Sequence, residues 1–278
     1  MPEDVDWTMR GLDYEPPQID TSKAHAARMY DYFLGGKDNY PPDREAAEQL
    51  IRLVPSVPES VRQNRMFLHR AARYLAAEAG ISQFLDIGTG IPTSPNLHEI
   101  AQQVNPAARV VYLDNDPIVL AHAHARLTSA PQGQVTYMHA DLRDTTAVLT
   151  APELTATLDF GQPVALLILS TLHLLPDAEE ARDLVRRYVA ALAPGSFLAL
   201  STVTHDAYTP EERADALSSL SASGVPIIPR THAEVTALFE GLELVEPGVV
   251  LVNQWRPETD GGASDSPAAL YCGVARKL

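Results

Sequence analysis

The sequence predicts an α/β fold: a doubly wound, mostly parallel sheet with helices on both faces and an N-terminal helical cap. Three observations predict it. Short apolar runs at 84–87, 110–113, 135–138, 164–169, 197–203 and 249–252 alternate with segments of helical periodicity. Continuous apolar strands separated by helices are what a parallel sheet covered on both faces needs. The first four runs end near Asp86, Asp114, Asp141 and Ser170, at intervals of 27 to 29 residues, about one strand–helix–strand repeat. No internal repeat or second domain is visible. Residues 1–80 are expected to form an arm and helical cap or lid on one structural unit with an α/β body at 81–278.

Taken in order, residues 1 to about 20 are acidic and carry Pro2, Pro16 and Pro17 without periodicity, so an extended arm is expected, with Trp7 and Tyr14 to pin it. A helix is expected over 22–33, packing Ala24, Ala27, Met29, Tyr30 and Phe33. The following stretch, Leu34-Gly35-Gly36-Lys37-Asp38-Asn39-Tyr40-Pro41-Pro42, is both polar and aromatic. It reads either as a solvated turn or as a lid, with the paired glycines as its joint and tyrosines to exclude water. A long helix is expected over 57–79, opened by a capping box at Ser56-Val57-Pro58-Glu59 and stopped at Gly80. Val61, Leu68, Ala72, Leu75 and Ala79 form its apolar stripe, with Asn64 and Arg65 at the polar edge.

Further along, Ser94 and Pro95 are read as N-cap and first residue of a helix, and Asp116-Pro117 likewise. Asp177 opens a helix striped by Ala181, Leu184, Val185, Tyr188 and Leu192. Thr209-Pro210-Glu211-Glu212 and Thr231-His232-Ala233-Glu234 are two more capping boxes. Residues 257–267 read as a long hairpin loop before a last apolar run, 268–275.

The composition narrows the function. The net charge of −15, from 21 basic and 36 acidic residues, argues against nucleic-acid or anionic-membrane partners, which need a basic face. Cys272 is the single cysteine, so no internal disulfide or cysteine-rich metal site forms. It lies in an apolar run and is expected to be a buried structural thiol. No metal constellation is expected; His122 and His124 are two apart on a helix and do not share a face. No stretch has the length of a membrane span or the apolar centre of a signal peptide, so a cytoplasmic protein is expected.

The chemistry centres on Phe84-Leu85-Asp86-Ile87-Gly88-Thr89-Gly90-Ile91-Pro92-Thr93. An apolar strand leads into a glycine turn, the device by which α/β proteins bring backbone close to a nucleotide-like ligand. Asp86 would repel a pyrophosphate laid over this turn, and the third glycine of a dinucleotide fingerprint is missing. A cationic ligand would welcome it. S-adenosylmethionine, with a sulfonium and an ammonium and no phosphate, is such a ligand. Asp114 closes the second strand, where an acid can accept both ribose hydroxyls. Asp141 closes the third, where a carboxylate can accept an adenine amino group. One such aspartate is an ordinary turn residue; three at successive strand ends of an open sheet mark a binding edge.

These motifs, together with Leu169-Ser170-Thr171-Leu172-His173-Leu174-Leu175-Pro176-Asp177 and Ala193-Pro194-Gly195-Ser196-Phe197-Leu198, resemble those of the class I S-adenosylmethionine-dependent methyltransferases over about residues 57–278. More narrowly, the chain is similar to an actinobacterial family of candidate methyltransferases. The likeness rests on His25 and the run Ala27-Arg28-Met29-Tyr30-Asp31-Tyr32-Phe33-Leu34-Gly35-Gly36-Lys37-Asp38-Asn39-Tyr40, then Asn64-Arg65 and Asp114-Asn115-Asp116-Pro117. The resemblance implies a Rossmann-like, seven-stranded doubly wound sheet with an antiparallel final strand, and S-adenosylmethionine as cofactor. It implies no particular acceptor. Ile91-Pro92-Thr93 departs from the common pattern, where another glycine often stands. Carried over by position, Asp86, Gly88 and Gly90 would line the methionine portion, Asp114 would bind the ribose and Asn115 would flank the adenine. Asp141 and Leu142 would read the adenine edge, and Ser170 and Thr171 would face the sulfonium. Arg28, Tyr30, Lys37 and Asn39 are expected to reach the ligand from the lid, a cation there meeting the methionine carboxylate.

Methyl transfer asks the enzyme chiefly to align reactants and exclude water. His173, just past the fourth strand, is the candidate general base if the acceptor must lose a proton; it can equally be a structural histidine. His25 and His205 are weaker candidates. The expected reading is a methyltransferase acting on a small-molecule acceptor. Its rivals are a non-catalytic S-adenosylmethionine-binding sensor or partner module and an NAD-dependent oxidoreductase, the latter disfavoured by Asp86. No G-x-S-x-G elbow suggests a hydrolase. The sequence leaves the oligomeric state open.

Overall fold

The computed structural model describes residues 19–119, 121, 129–206, 208–209, 225, 227–257 and 268–278. The arm up to residue 18, His122 and His124, residues 210–212 of the box at 209–212 and nearly all of the expected loop at 257–267 lie outside the described residues.

Three helices come first: α1 (Ala26–Phe33), α2 (Pro41–Leu53) and α3 (Val57–Arg73). The last continues as one wide turn, Tyr74–Glu78, and ends at Gly80, whose φ of +69° is natural for glycine. The expected capping box at Ser56 does not form: Ser56 makes no side-chain cap bond and instead meets the Tyr208 hydroxyl at 3.3 Å. Helix α2 has no counterpart among the sequence expectations. Its signals are local: Pro41 and Pro42 open it, and Asp43 accepts from the Tyr40 backbone N–H at 2.8 Å.

The sheet comprises β1 (Gln83–Ile87), β2 (Arg109–Asp114), β3 (Gln134–His139), β4 (Ala165–Leu169), β5 (Phe197–Val203), β6 (Glu243–Leu244), β7 (Val250–Leu251) and β8 (Leu270–Arg276). Its order is β3-β2-β1-β4-β5-β8-β6, with β7 also on β8. The first five strands are parallel, and β8 runs antiparallel to β5, β6 and β7. The expected seven strands become eight because β6 and β7 pair with separate stretches of β8, at 275–276 and 271–272, as two pieces of one edge. The expected strand at 249–252 is therefore only two residues long. Both residues of β6 are exposed, so no apolar run announced it.

Alternation along β1 splits the core between the two faces. Phe84 joins Leu75, Ile100, Tyr112 and Trp255 on one face, while Leu85 and Ile87 join Leu154, Leu184 and Tyr188 on the other. Cys272 is buried in β8. Helix α4 (Leu97–Val104) is capped by Asn96, not by Ser94: Glu99 accepts from the Asn96 backbone N–H at 2.5 Å, completing a capping box. Ser94 and Pro95 belong to the approach. The chain builds β1, β2 and β3 outward, then crosses back to lay β4 on the other side of β1. Such a reversal opens a crevice at the carboxyl ends of the strands.

Candidate functional site

The crevice is shaped by the turn after β1. Gly88 and Gly90 have φ of +72° and +66°. At Gly88 a Cβ would lie 2.3 Å from the Thr171 hydroxyl, whereas at Gly90 it would meet nothing within 4 Å. Gly88 is thus required by both conformation and space, Gly90 by conformation. The turn is laced to β2: the Gly88 N–H donates to the Leu113 carbonyl at 2.7 Å, and Gly90 to Asp114 Oδ2 at 2.8 Å. Asp114 Oδ1 accepts from the Asp116 N–H at 2.9 Å.

Over these strand ends lies a cavity of about 330 Å³. It is lined by Asp86, Gly88, Gly90, Asp114, Asn115, Asp141, Leu142, Ser170, Thr171 and His173, and by Tyr30 from α1. Asp86 is buried. Burial pushes its carboxyl up to about 7, against the opposing pull of a Thr89 hydrogen bond and the Arg65 charge. Burial also raises Asp114. Asp141 is held below the usual range by hydrogen bonds from Arg143, whose Nε lies 3.0 Å from each carboxylate oxygen. Ser170 has a φ of +54°, a conformation costly for a residue with a Cβ and concentrated at functional sites. Its N–H donates to the Ser201 carbonyl at 2.9 Å and to the Ser201 hydroxyl at 3.0 Å.

His173 sits in a single 3-10 turn, Leu172–Leu174, directly after β4. Arg230 clamps this turn by donating to the Leu172 and Leu175 carbonyls, at 2.7 and 3.1 Å. Burial, with the Arg230 charge second, pulls the imidazole down to about 3, so it is neutral at physiological pH.

The rest of the expected lid arrives differently. Arg28, Lys37 and Asn39 do not line the cavity. Arg28 is buried between Asp43 and Asp116, its Nε 3.4 Å from each carboxylate, and donates to the Asp20 and Lys23 carbonyls at 3.1 and 3.0 Å. Asn39 donates to Asp31 at 2.7 Å and accepts from Arg44 at 2.8 Å. Lys37 is exposed. Nor is Gly35-Gly36 a loose joint: a Cβ on Gly36 would lie 2.0 Å from Asp31 Oδ1, and Asp31 also accepts from the Asp38 N–H at 2.9 Å. The aspartate fastens the turn, and it is one face of α1, not the glycine turn, that reaches the cavity.

The cation the lid was expected to bring comes instead from α3. Arg65 lines the cavity. Its Nη2 donates to the carbonyls of Thr93 and, at 2.7 Å, Pro95, while its Nε is buried without a partner. The sequence signal was its place on the helix edge and in the Asn64-Arg65 pair of the family likeness. Among the described residues, no group of three or more metal-ligating side chains is placed to hold an ion, and no helix is long and apolar enough to cross a membrane.

A family model described as S-adenosyl methyltransferase matches residues 13–278. The chain belongs to this family. Membership in the S-adenosyl methyltransferases carries methyl transfer as activity and S-adenosylmethionine as cofactor. Among solved structures, a DUF574 family protein of Streptomyces avermitilis MA-4680 is 49% identical over 94% of this chain and 100% of its own, with a TM-score of 0.88. A candidate methyltransferase of Thermobifida fusca YX is 40% identical over 95% of this chain and 99% of its own, with a TM-score of 0.85. An O-methyltransferase family protein of Burkholderia thailandensis shares the fold at 14% identity, over 89% of this chain and 63% of its own, with a TM-score of 0.50. No curated protein matches the sequence.

Proposed function

We propose that the crevice at the ends of β1 to β4 is the methyl-transfer site, that its acceptor is a small molecule, and that residues 1–80 act as its cap in a cytoplasmic enzyme with the body at 81–278. One observation carries the reading: Arg65, with a buried unpartnered Nε, and the buried carboxyl of Asp86 border the same cavity beside two left-handed glycines. A cation and an acid side by side match the carboxylate and ammonium of an amino acid, and the open turn admits the methionine portion.

When bound, S-adenosylmethionine supplies a methyl group activated by the adjoining sulfonium. The chain's residues do the remainder. Asp114 accepts from the ribose hydroxyls, Asn115 and Leu142 flank the adenine, and Asp141 accepts at the adenine edge in competition with Arg143. Ser170 and Thr171 border the reacting side, and α1 closes it from water with Tyr30. A neutral His173 keeps a lone pair that can accept a hydrogen bond from the acceptor's hydroxyl or N–H, while burial, which pulls its imidazole down to about 3, leaves the proton itself to pass on to solvent.

Calorimetry with S-adenosylhomocysteine tests this. Arg65→Met should weaken binding by about 1.5–3 kcal/mol, the worth of a hydrogen bond to a charged group. Unchanged affinity in this variant overturns the assignment of the amino-acid end.

A further inference from the structure

The cavity has two halves of opposite character. Every formally charged side chain that lines it among the described residues, namely Arg65, Asp86, Asp114, Asp141 and Arg143, belongs to the strand-end loops or to the α3 face above them. The other half lies under the cap, where Phe33, Leu50, Val54, Val61, Leu174 and Val225 line the cavity and also form one apolar cluster. These residues come from α1, the end of α2, α3, the turn after β4 and residue 225, so five separate stretches converge on a wall with no formal charge among the described residues. An unpaired ion placed against these apolar side chains is desolvated without compensation.

The polar groups of this half are mostly engaged. Asn64 donates to the Tyr30 hydroxyl at 3.0 Å and accepts from Ser201 at 2.6 Å. Tyr30 donates to the Val61 carbonyl at 3.3 Å. Ser60 accepts from the Ala269 N–H at 3.1 Å, and Thr204 from the Asp206 N–H at 3.0 Å. Two imidazoles differ. His173 and His205 both line the cavity, and each has a buried Nδ1 without a hydrogen-bond partner. Buried polar nitrogens ordinarily have partners, and those that lack one call for an explanation.

We infer that the acceptor is an uncharged, mainly apolar small molecule bearing a hydroxyl or N–H group, its body against the apolar wall and its polar group at His173 and His205. The inference rests on the reading of this cavity as the methyl-transfer site. It excludes carboxylates, phosphates and ammonium compounds as good acceptors. The wall takes the body by apolar burial, and the imidazoles reward one polar group placed next to the strand ends.

A matched series of probes tests it: 2-naphthol, naphthalene, 2-naphthoate and 2-naphthylmethylammonium, titrated by fluorescence with and without saturating S-adenosylhomocysteine. 2-Naphthol should bind at least about tenfold tighter than either charged probe, and about fivefold tighter than naphthalene, margins typical of a lost hydrogen bond or an unpaired charge. In His173→Phe the advantage over naphthalene should fall towards onefold, with His205→Phe as the second variant. A melting curve and an S-adenosylhomocysteine titration show whether each variant is folded. A charged probe that binds as tightly as 2-naphthol overturns the acceptor class, and so does failure of all four to bind while S-adenosylhomocysteine binds normally. An advantage over naphthalene that survives both variants overturns the role of the imidazoles. Binding of 2-naphthol without any binding of S-adenosylhomocysteine overturns the methyl-transfer reading instead, leaving a pocket for neutral ligands. The comparison among probes on the unaltered protein needs no variant to fold.

Discussion

The strand-end half of the cavity and the cap half are built on different principles. The strand-end half is held by backbone and carboxylate hydrogen bonds: the turn after β1 is tied to β2 by the Leu113 carbonyl and Asp114. The cap half is held by apolar side chains: Met29, Leu50, Val61 and Val225 meet in one cluster. The comparison teaches that this protein places its charged cavity groups at strand ends and α3, and its apolar cavity surface under the cap. A parallel sheet holds carboxylates at chosen heights, which a ligand with fixed charges needs. An apolar wall assembled from several helices offers shape with little direction, which suits a hydrophobic partner.

The sharpest way to break this division is at the joint between the halves. Arg28→Met leaves Asp43 and Asp116 buried without their cation, so stability should fall by about 3–5 kcal/mol in chemical denaturation. A loss below 1 kcal/mol would show that the two carboxylates do not depend on it. Next in size is the turn. Gly88→Ala forces a Cβ onto Thr171 in a left-handed conformation and should cost about 2–3 kcal/mol, whereas Gly90→Ala, with space around it, should cost about 1 kcal/mol. Equal losses in thermal unfolding would mean that Thr171 yields freely.

A smaller effect separates the halves by proton. Asp86 is raised from its ordinary value of 3.8 to about 7 by burial, so folding favours its protonated form. The stability it contributes is full below about pH 4 and is lost as pH rises through about 7. Relative to Asp86→Asn, the unliganded parent should therefore lose stability between about pH 4 and 7. A ligand ammonium pulls this carboxyl back down. Binding of S-adenosylhomocysteine at pH 7 should thus release about half a proton, measured by calorimetry in buffers of different ionisation enthalpy, and none in Asp86→Asn. Uptake in place of release would reverse the assignment. The smallest effect belongs to Lys37→Ala, which should change ligand affinity less than about twofold and stability less than about 0.5 kcal/mol. A larger loss of affinity would return the glycine turn to the ligand.

The sequence made one half legible and left most of the other unread. Asp86, Gly88, Gly90, Asp114 and Asp141 were readable because each is defined locally, by an apolar strand ending in a turn, and the cavity brings all five together. Arg28, Lys37 and Asn39 were chosen for charge and proximity in the chain, which cannot reveal that Asp31, Asp43 and Asp116 claim two of them. Arg65 was legible through the Asn64-Arg65 pair of the family likeness; that it lines the cavity together with Asp86 is a fact of packing that no spacing within the helix encodes. Among the elements, β6 escaped because two exposed residues carry no pattern. Helix α2 had its proline and Asp43 start signals, yet it follows a turn whose polar composition masked them.

One detail of the cap reaches further than its size. Asp116, which Arg28 approaches, also accepts from the Ile118 N–H at 3.1 Å, faces His25 Nδ1 at 3.0 Å, and lies two residues past Asp114. The first turn of α1 is therefore wired to the loop that carries Asp114. Thermodynamic coupling runs equally in both directions. On the proposed placement of the ribose at Asp114, cofactor binding and the docking of α1 strengthen each other equally.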